Sequence, residues 1–411
     1  VAYVMVEGEI KEGAELWACW INGHSKMPNY NNGYSNGVRL HTGLNVVPFG
    51  SDGSALYINY LVHTYNTASK TFTHKLGDYD DLKVHIEGGY INGYYNTHGD
   101  ALYTADTDAD WMYYEERANM RNITILGRQQ VLQFELNDVT VTEENGNTWT
   151  ERGLAKLLPE ELPASLPENQ RINAIVEAWD RIMLIEKMTM GLVSKEVADS
   201  MNALYPRWDG AWENKAEMYD YEGYYDYCEG RNYADYYNHH GLAFGTVSGY
   251  MYGSWDHCGY HINTTPSIMT QIATEAGPTW GPAHEIGHQH QGLLTVNGLT
   301  EVTNNLLSNI AVWYMGMGTS RVNGTDGNLP HVYDNFKAGG DFFDNNIWAL
   351  TQMYYRLWLY YHRAGNDTQF YPKLFELLRH NPMSRGYYQQ GKTSILHFYQ
   401  MCCEAAQEDL T

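Results

Sequence analysis

The hydrophobic period changes part-way along the chain, and that change limits what it can fold into. Up to about residue 150, the apolar residues sit in short runs of strand formers. Examples are Ala55-Leu56-Tyr57-Ile58-Asn59-Tyr60-Leu61-Val62, Leu82-Lys83-Val84-His85-Ile86 and Ile123-Thr124-Ile125-Leu126-Gly127. Turn signals such as Asn31-Asn32-Gly33, Ser51-Asp52-Gly53 and Asn92-Gly93 punctuate this part. A stretch with Pro159, Pro163 and Pro167 follows. Then Ile172, Ile175, Val176, Trp179, Ile182 and Met183 recur at helical spacing, which predicts an amphipathic helix near 170–190. Further helices are expected over 282–291, 300–316 and 346–380, and residues 219–240, crowded with Tyr, Asp and Asn, read as a surface loop or lid. Strands first and helices later is an α+β layout. The expectation is a β-sandwich-like region over 1–155 and a mainly helical domain over 156–411.

Charge narrows the partners. Among 411 residues, 26 Lys and Arg face 49 Asp and Glu, a net charge of −23. A polyanionic backbone would be repelled, so nucleic acid is excluded as a partner, and anionic membrane surfaces are disfavoured. No apolar run approaches the roughly 18 residues that a membrane helix needs, so no membrane insertion is expected. The start, Val1-Ala2-Tyr3-Val4, lacks Met and a basic stretch. The expectation is a mature or excised form whose targeting segment has been removed. The five cysteines, Cys19, Cys228, Cys258, Cys402 and Cys403, are scattered and form no C-x-x-C pair; they read as free, mostly buried thiols.

Chemistry is concentrated in Trp280-Gly281-Pro282-Ala283-His284-Glu285-Ile286-Gly287-His288-Gln289-His290-Gln291. It contains H-E-x-x-H. On a helix, positions i and i+4 share a face, so His284 and His288 can direct imidazole nitrogens at one Zn²⁺ ion. Glu285 adjoins them and can serve as general base without ligating the metal. A third ligand is required. The metzincin pattern needs Gly at 291 and His at 294, whereas the chain has Gln291 and Leu294. The alternative is a Glu on a following helix. From Ile286 to Thr325 the only acidic residue is Glu301, which opens the helical segment Glu301-Val302-Thr303-Asn304-Asn305-Leu306-Leu307. Asn305 lies four residues on and can hydrogen-bond a ligand imidazole. Gln291, at i+7 from His284, can do the same or touch substrate. His290 falls off the 284/288 face and reads as structural.

The combination Trp280-Gly281-x-x-His284-Glu285-x-Gly287-His288-x-x-Gln291, followed by Glu301-Val302-Thr303-Asn304-Asn305, resembles the enhancin-like, mucin-directed zinc metallopeptidases of peptidase family M60. Looser matches extend it: Asn169-Gln170-Arg171-Ile172 through Ala178-Trp179-Asp180, and Phe370-Tyr371-Pro372-Lys373-Leu374. The resemblance implies a gluzincin site with His284, His288 and Glu301 as zinc ligands and Glu285 as catalytic base. It also implies a secreted or cell-surface endopeptidase for mucin-type, O-glycosylated proteins, with the glycan beside the scissile bond recognised.

Other features are weighed beside this. Asn304 is a candidate hydrogen-bond partner for substrate, Trp280 a packing anchor or sugar platform, and Tyr260 and His261, in a segment that reads as a substrate-flanking strand, are candidates for a second oxyanion donor. Asp106, Asp108 and Asp110 begin like a calcium loop, but Trp111 and Arg117 stand where Gly and Glu are needed, so an EF-hand is excluded. The run Tyr219–Tyr237 can offer stacking faces to sugars or be a polar surface loop. Two other functions compete. A gluzincin aminopeptidase would carry a G-x-M-E-N-like segment, which is not found here. A glycan-binding or adhesion module with structural zinc would have no need of Glu285.

Overall fold

The computed structural model describes residues 1–12, 14–21, 37–48, 55–61, 65–66, 71–72, 82–89, 93–99, 104–117, 122–135, 139–142, 145–151, 157–192, 241–246, 250–253, 258–261, 264–296, 298–317, 329–340, 346–381 and 391–410. The run 219–240 lies outside the described residues. Strands are β1 Ala2–Glu7, β2 Glu15–Ile21, β3 Gly37–Leu40, β4 Gly43–Val47, β5 Ala55–Leu61, β6 Tyr65–Asn66, β7 Thr71–Phe72, β8 Lys83–Glu87, β9 Gly93–Asn96, β10 Asn122–Leu126, β11 Gln130–Glu135, β12 Val139–Thr142, β13 Thr148–Glu151, β14 Gly241–Thr246, β15 Met251–Gly253 and β16 Cys258–His261. Helices are α1 Asp108–Arg117, α2 Arg171–Thr189, α3 Thr265–Gln271, α4 Ala276–His290, α5 Thr300–Tyr314, α6 Leu329–Lys337, α7 Ile347–Leu357, α8 Phe370–His380 and α9 Gly391–Ala406.

The chain divides into two compact units. The first comprises Val1–Asn173, Asn238–Tyr250 and Gly259–Ser267; the second comprises Ala174–Tyr237, Met251–Cys258 and Ile268–Thr411. In the first, β4-β1-β8 and β3-β2-β5 are three-stranded antiparallel sheets. Strand β1 alternates as period two requires, with Ala2, Val4 and Val6 inward. These join Leu16, Ala18, Leu40 and Val47 in one apolar core. A sandwich over 1–155 is not established: besides these two small sheets, the described strands of the region form the pairs β6-β7 and β12-β13 and three strands of a larger sheet. A larger mixed sheet runs β16-β14-β11-β10-β9, with β10 antiparallel to β11 and parallel to β9.

The three aspartates of the D-x-D-x-D run accept local hydrogen bonds, two of them at helix starts. Asp108 accepts from the backbone N–H of Arg171 and of Ile172, both at 3.0 Å, and so caps the start of α2. Asp110 accepts from the Thr107 N–H and hydroxyl, both at 2.8 Å, and Asp106 accepts from the Asn96 N–H at 2.6 Å.

Helix α2 departs from the amphipathic expectation. Every residue after Arg171 is buried, Asp180, Arg181, Glu186 and Lys187 included. A helix enclosed on all sides has no solvent face to display. Burial pushes the Lys187 ammonium down to about 7, against the opposing charge of Asp180. The expected helical stretch 346–380 is broken into α7, a π-helical turn Trp358–Arg363, and α8. Between them Gly365 takes φ +73°, a left-handed conformation that ends the turn.

Candidate metal centre

The second unit builds this site from α4, α5 and β15. Helix α4 starts at Ala276, six residues before the expected position. Gly277, Pro278, Gly281 and Pro282 read as breakers in the sequence, yet Pro278 sits in the first turn, where a missing N–H costs little. Thr279 steadies that turn: its hydroxyl, with one proton to give, lies 2.7 Å from both the Ile272 and Glu275 carbonyl oxygens. Helix α5 buries twelve of its fifteen residues, including the polar run Thr303, Asn304, Asn305, Ser308 and Asn309. Asn305, Ser308 and Asn309 donate to carbonyls four residues back, at 2.6, 3.0 and 2.7 Å.

Two glycines let these elements meet closely. A Cβ on Gly287 would lie 3.2 Å from the Asn304 Cβ, so its absence lets α5 press against α4. A Cβ on Gly253 of β15 would lie 2.5 Å from the Glu285 carbonyl oxygen and 2.7 Å from the His288 Cβ. Strand β15 therefore runs flush along the histidine helix.

The i, i+4 spacing places His284 and His288 together, with ring centroids 5.1 Å apart. Glu301, in the first turn of α5, brings Oε2 to 3.1 Å from His284 Nε2 and 3.6 Å from His288 Nε2. A tetrahedral ion with N and O ligands at about 2.0–2.1 Å sets neighbouring ligand atoms about 3.3 Å apart, so the set fits a metal. Donor atoms of His284, Glu285 and His288 also lie within 4.8 Å of one another. The Glu285 carboxylate is the more remote partner, with Oε2 3.8 Å from His288 Nε2. It is also buried, whereas the Glu301 side chain is half exposed. Burial, helped by the charge of Glu301, pushes the Glu285 carboxyl up to about 7. His288 is held below the ordinary imidazole value, chiefly by burial, with Glu301 opposing and His284 adding to it.

The imidazoles are gripped from behind. Asn305 Oδ1 lies 2.9 Å from His284 Nδ1, and Gln291 Nε2 lies 2.6 Å from His288 Nδ1. Asn304, fully buried, approaches from the other side, the side of the metal-facing nitrogens, with Nδ2 2.8 Å from His284 Nε2 and 2.9 Å from His288 Nε2. His290 points elsewhere, with Nδ1 2.7 Å from Glu186 Oε2, so it ties α4 to α2. Trp280 is buried, its ring centroid 6.0 Å from that of Trp348. Tyr260, buried, and His261 belong to β16 in the first unit, where the His261 N–H donates to the Tyr250 carbonyl. Sequence reasoning gave no role of their own to Gly253, Gly287 and Thr303. Gly287 and Thr303 had a signal, since both stand in the motifs that carry the family resemblance; Gly253 had none.

A family model described as peptidase M60, enhancin and enhancin-like, matches residues 150–411. No curated protein sequence matches the chain. Among solved structures, the chain is similar to a metallopeptidase from Bacteroides thetaiotaomicron, at 20% identity and TM-score 0.65, over 98% of this chain and 56% of that one. It is similar to a metallopeptidase in complex with Tn antigen, at 20% identity and TM-score 0.66, over 100% of this chain and 63% of that one. It is also similar to the M60 catalytic domain of Clostridium perfringens ZmpC in complex with the sialyl T antigen, at 17% identity and TM-score 0.52, over 100% and 68%. At these identities the likeness shows the fold. The chain spans 56% and 63% of the length of the first two. The matched region takes in more than half of the chain and both helices that carry the site, and the chain belongs to the peptidase M60, enhancin and enhancin-like, family.

Proposed function

We propose that the protein is a zinc metalloendopeptidase, secreted or displayed at a cell surface, that hydrolyses peptide bonds in mucin-type O-glycosylated proteins. The observation that carries the chemistry is the spacing of His284 Nε2, His288 Nε2 and Glu301 Oε2 beside the buried carboxylate of Glu285. In this reading the two imidazoles and Glu301 hold Zn²⁺. When bound, zinc lowers the pKa of a coordinated water towards about 7 and polarises a carbonyl. Glu285 supplies the proton transfer. Its carboxylate takes a proton from the attacking water and hands it to the leaving amine. A positive ion beside it would draw its pKa back down, so that it is ionised and ready as a base at neutral pH. Asn305 and Gln291 hold the imidazole planes. Gly253 lets the backbone of β15 lie along the site, where an extended peptide could be received.

Two things support the substrate class. The family resemblance points to mucin-type proteins, and two similar structures hold Tn and sialyl T antigens. The test is incubation with an O-glycosylated mucin and with its enzymatically deglycosylated form, each with and without a zinc chelator. Chelator-sensitive cleavage of the glycosylated form alone is expected. Equal cleavage of both would contradict the glycan requirement. No cleavage of either, with zinc bound, would move the weight to a glycan-binding module.

A further inference from the structure

We propose that Thr303 is a positioning residue for the metal centre: it holds the Gln291 carboxamide in the orientation that makes His288 present an Nε2 lone pair. The inference rests on the zinc reading above. A neutral imidazole has one N–H and one lone pair. Two amide nitrogens face His288: Gln291 Nε2 at 2.6 Å from Nδ1, and Asn304 Nδ2 at 2.9 Å from Nε2. Both are donors, and the ring can accept from only one. One carboxamide is therefore reversed, since its two ends are told apart only by their partners.

The neighbours decide which. Asn305 Nδ2 donates to the Glu301 carbonyl at 2.6 Å, which fixes that amide and leaves Oδ1 to accept from His284 Nδ1 at 2.9 Å. His284 Nε2 is then a lone pair, the one that zinc would take, and a reversed Asn304 would set its carboxamide oxygen against it at 2.8 Å. Asn304 keeps its orientation, so Gln291 is the amide that turns. Its Oε1 then accepts from His288 Nδ1–H, and its Nε2 faces the Thr303 hydroxyl, which lies 2.5 Å from the amide's outer atom. A hydroxyl can accept as well as donate. Thr303 accepts a hydrogen bond from that N–H and donates its own O–H to Thr295 Oγ1 at 3.0 Å. Thr303 and Gln291 are both buried, so water cannot replace a lost partner.

The test is the Zn²⁺ affinity of the intact protein, read by competition with a chromophoric chelator. Circular dichroism and thermal melting of the metal-free protein serve as the fold check. Thr303→Val keeps shape and removes the hydroxyl; zinc binding should weaken about 10- to 100-fold with the fold kept. Thr303→Ser should restore it to within a few-fold. Gln291→Glu has a carboxylate that can only accept from Nδ1–H, so adding Thr303→Val to it should change zinc affinity by no more than a few-fold. Wild-type affinity in Thr303→Val would overturn the proposal. So would an equal loss in the Gln291→Glu background, which would mark a packing effect. Gln291→Leu removes the same bond from the other side and carries the test if Thr303→Val does not fold, with the same 10- to 100-fold loss expected. Wild-type protein that binds no zinc would overturn the reading on which this rests, and the inference with it.

Discussion

Buried ionisable groups set how this protein answers to pH, residue by residue. His362 is the clearest case away from the metal centre. Its Nε2 lies 2.8 Å from the Tyr314 hydroxyl, and its ring stacks on Trp358. Burial pushes its pKa from 6.5 down to about 4, with Arg363 adding to the effect and a backbone bond to Thr368 opposing it. The folded state therefore binds this proton less readily than the unfolded chain. The stability that His362 contributes is full above the unfolded value, 6.5, and is lost as pH falls towards about 4. Between pH 7.5 and 5 this residue should cost about 2 kcal/mol of unfolding free energy. Urea unfolding at the two pH values, in wild type and His362→Asn, checks it: the pH dependence should flatten in the variant. An unchanged slope would refute the assignment. At this scale, much of the candidate site was legible, since the structure brings His284, Glu285, His288 and Glu301 together. The i, i+4 histidines and the lone Glu301 stand out because ligand chemistry needs those residue types at that spacing. Thr303 stood in the motif that carries the family resemblance, but the role proposed for it was not legible, because a hydroxyl that acts through a hydrogen bond leaves no spacing pattern of its own.

Two of the close approaches to helix α4 differ in how much room a side chain would find. At Gly253 an added methyl meets the Glu285 carbonyl at 2.5 Å, a backbone atom that cannot step aside cheaply. At Gly287 the nearest atoms of Asn304 lie at 3.2 to 3.4 Å, a contact that a shift of a few tenths of an ångström relieves. A Gly287→Ala change also gains helix propensity, about 1 kcal/mol, which offsets the crowding. Gly253→Ala should therefore lower the unfolding free energy by about 2–3 kcal/mol, and Gly287→Ala by less than 1 kcal/mol. Denaturant unfolding of both variants checks the order, and the reverse order would contradict this account of the packing. Element boundaries were less legible than ligands. The glycine and proline residues that begin α4 look like loop chemistry in isolation, and burial overrides that preference. The interruption at Trp358–Arg363 and Gly365 was hidden inside an apolar stretch that reads as one helix. Helix α2 misled in another way: helical spacing of apolar residues was present, but the polar positions between them are buried too.

At the scale of the whole chain, the α+β order was legible from the change of period near residue 150. A sandwich was not, because short strands with turn signals do not say which strands pair. The compact units are interleaved along the sequence: strand β14 returns to the first after residue 237, while β15 sits with the second. No linear boundary could have expressed that. The family match covers residues 150–411, so the segment that holds every site residue discussed here is also the segment that the family shares. No helix among the described residues is long and apolar enough to cross a membrane. The central claim is a division of labour between two carboxylates, Glu301 as ligand and Glu285 as base. The most direct test is the zinc content of the purified protein, read together with mucin cleavage, in wild type, Glu285→Gln and Glu301→Ala. The account predicts one zinc per chain in wild type and in Glu285→Gln, with cleavage by Glu285→Gln down about 10²- to 10⁴-fold, and zinc lost in Glu301→Ala. Zinc lost from Glu285→Gln and kept by Glu301→Ala would contradict it, and would make Glu285 the ligand.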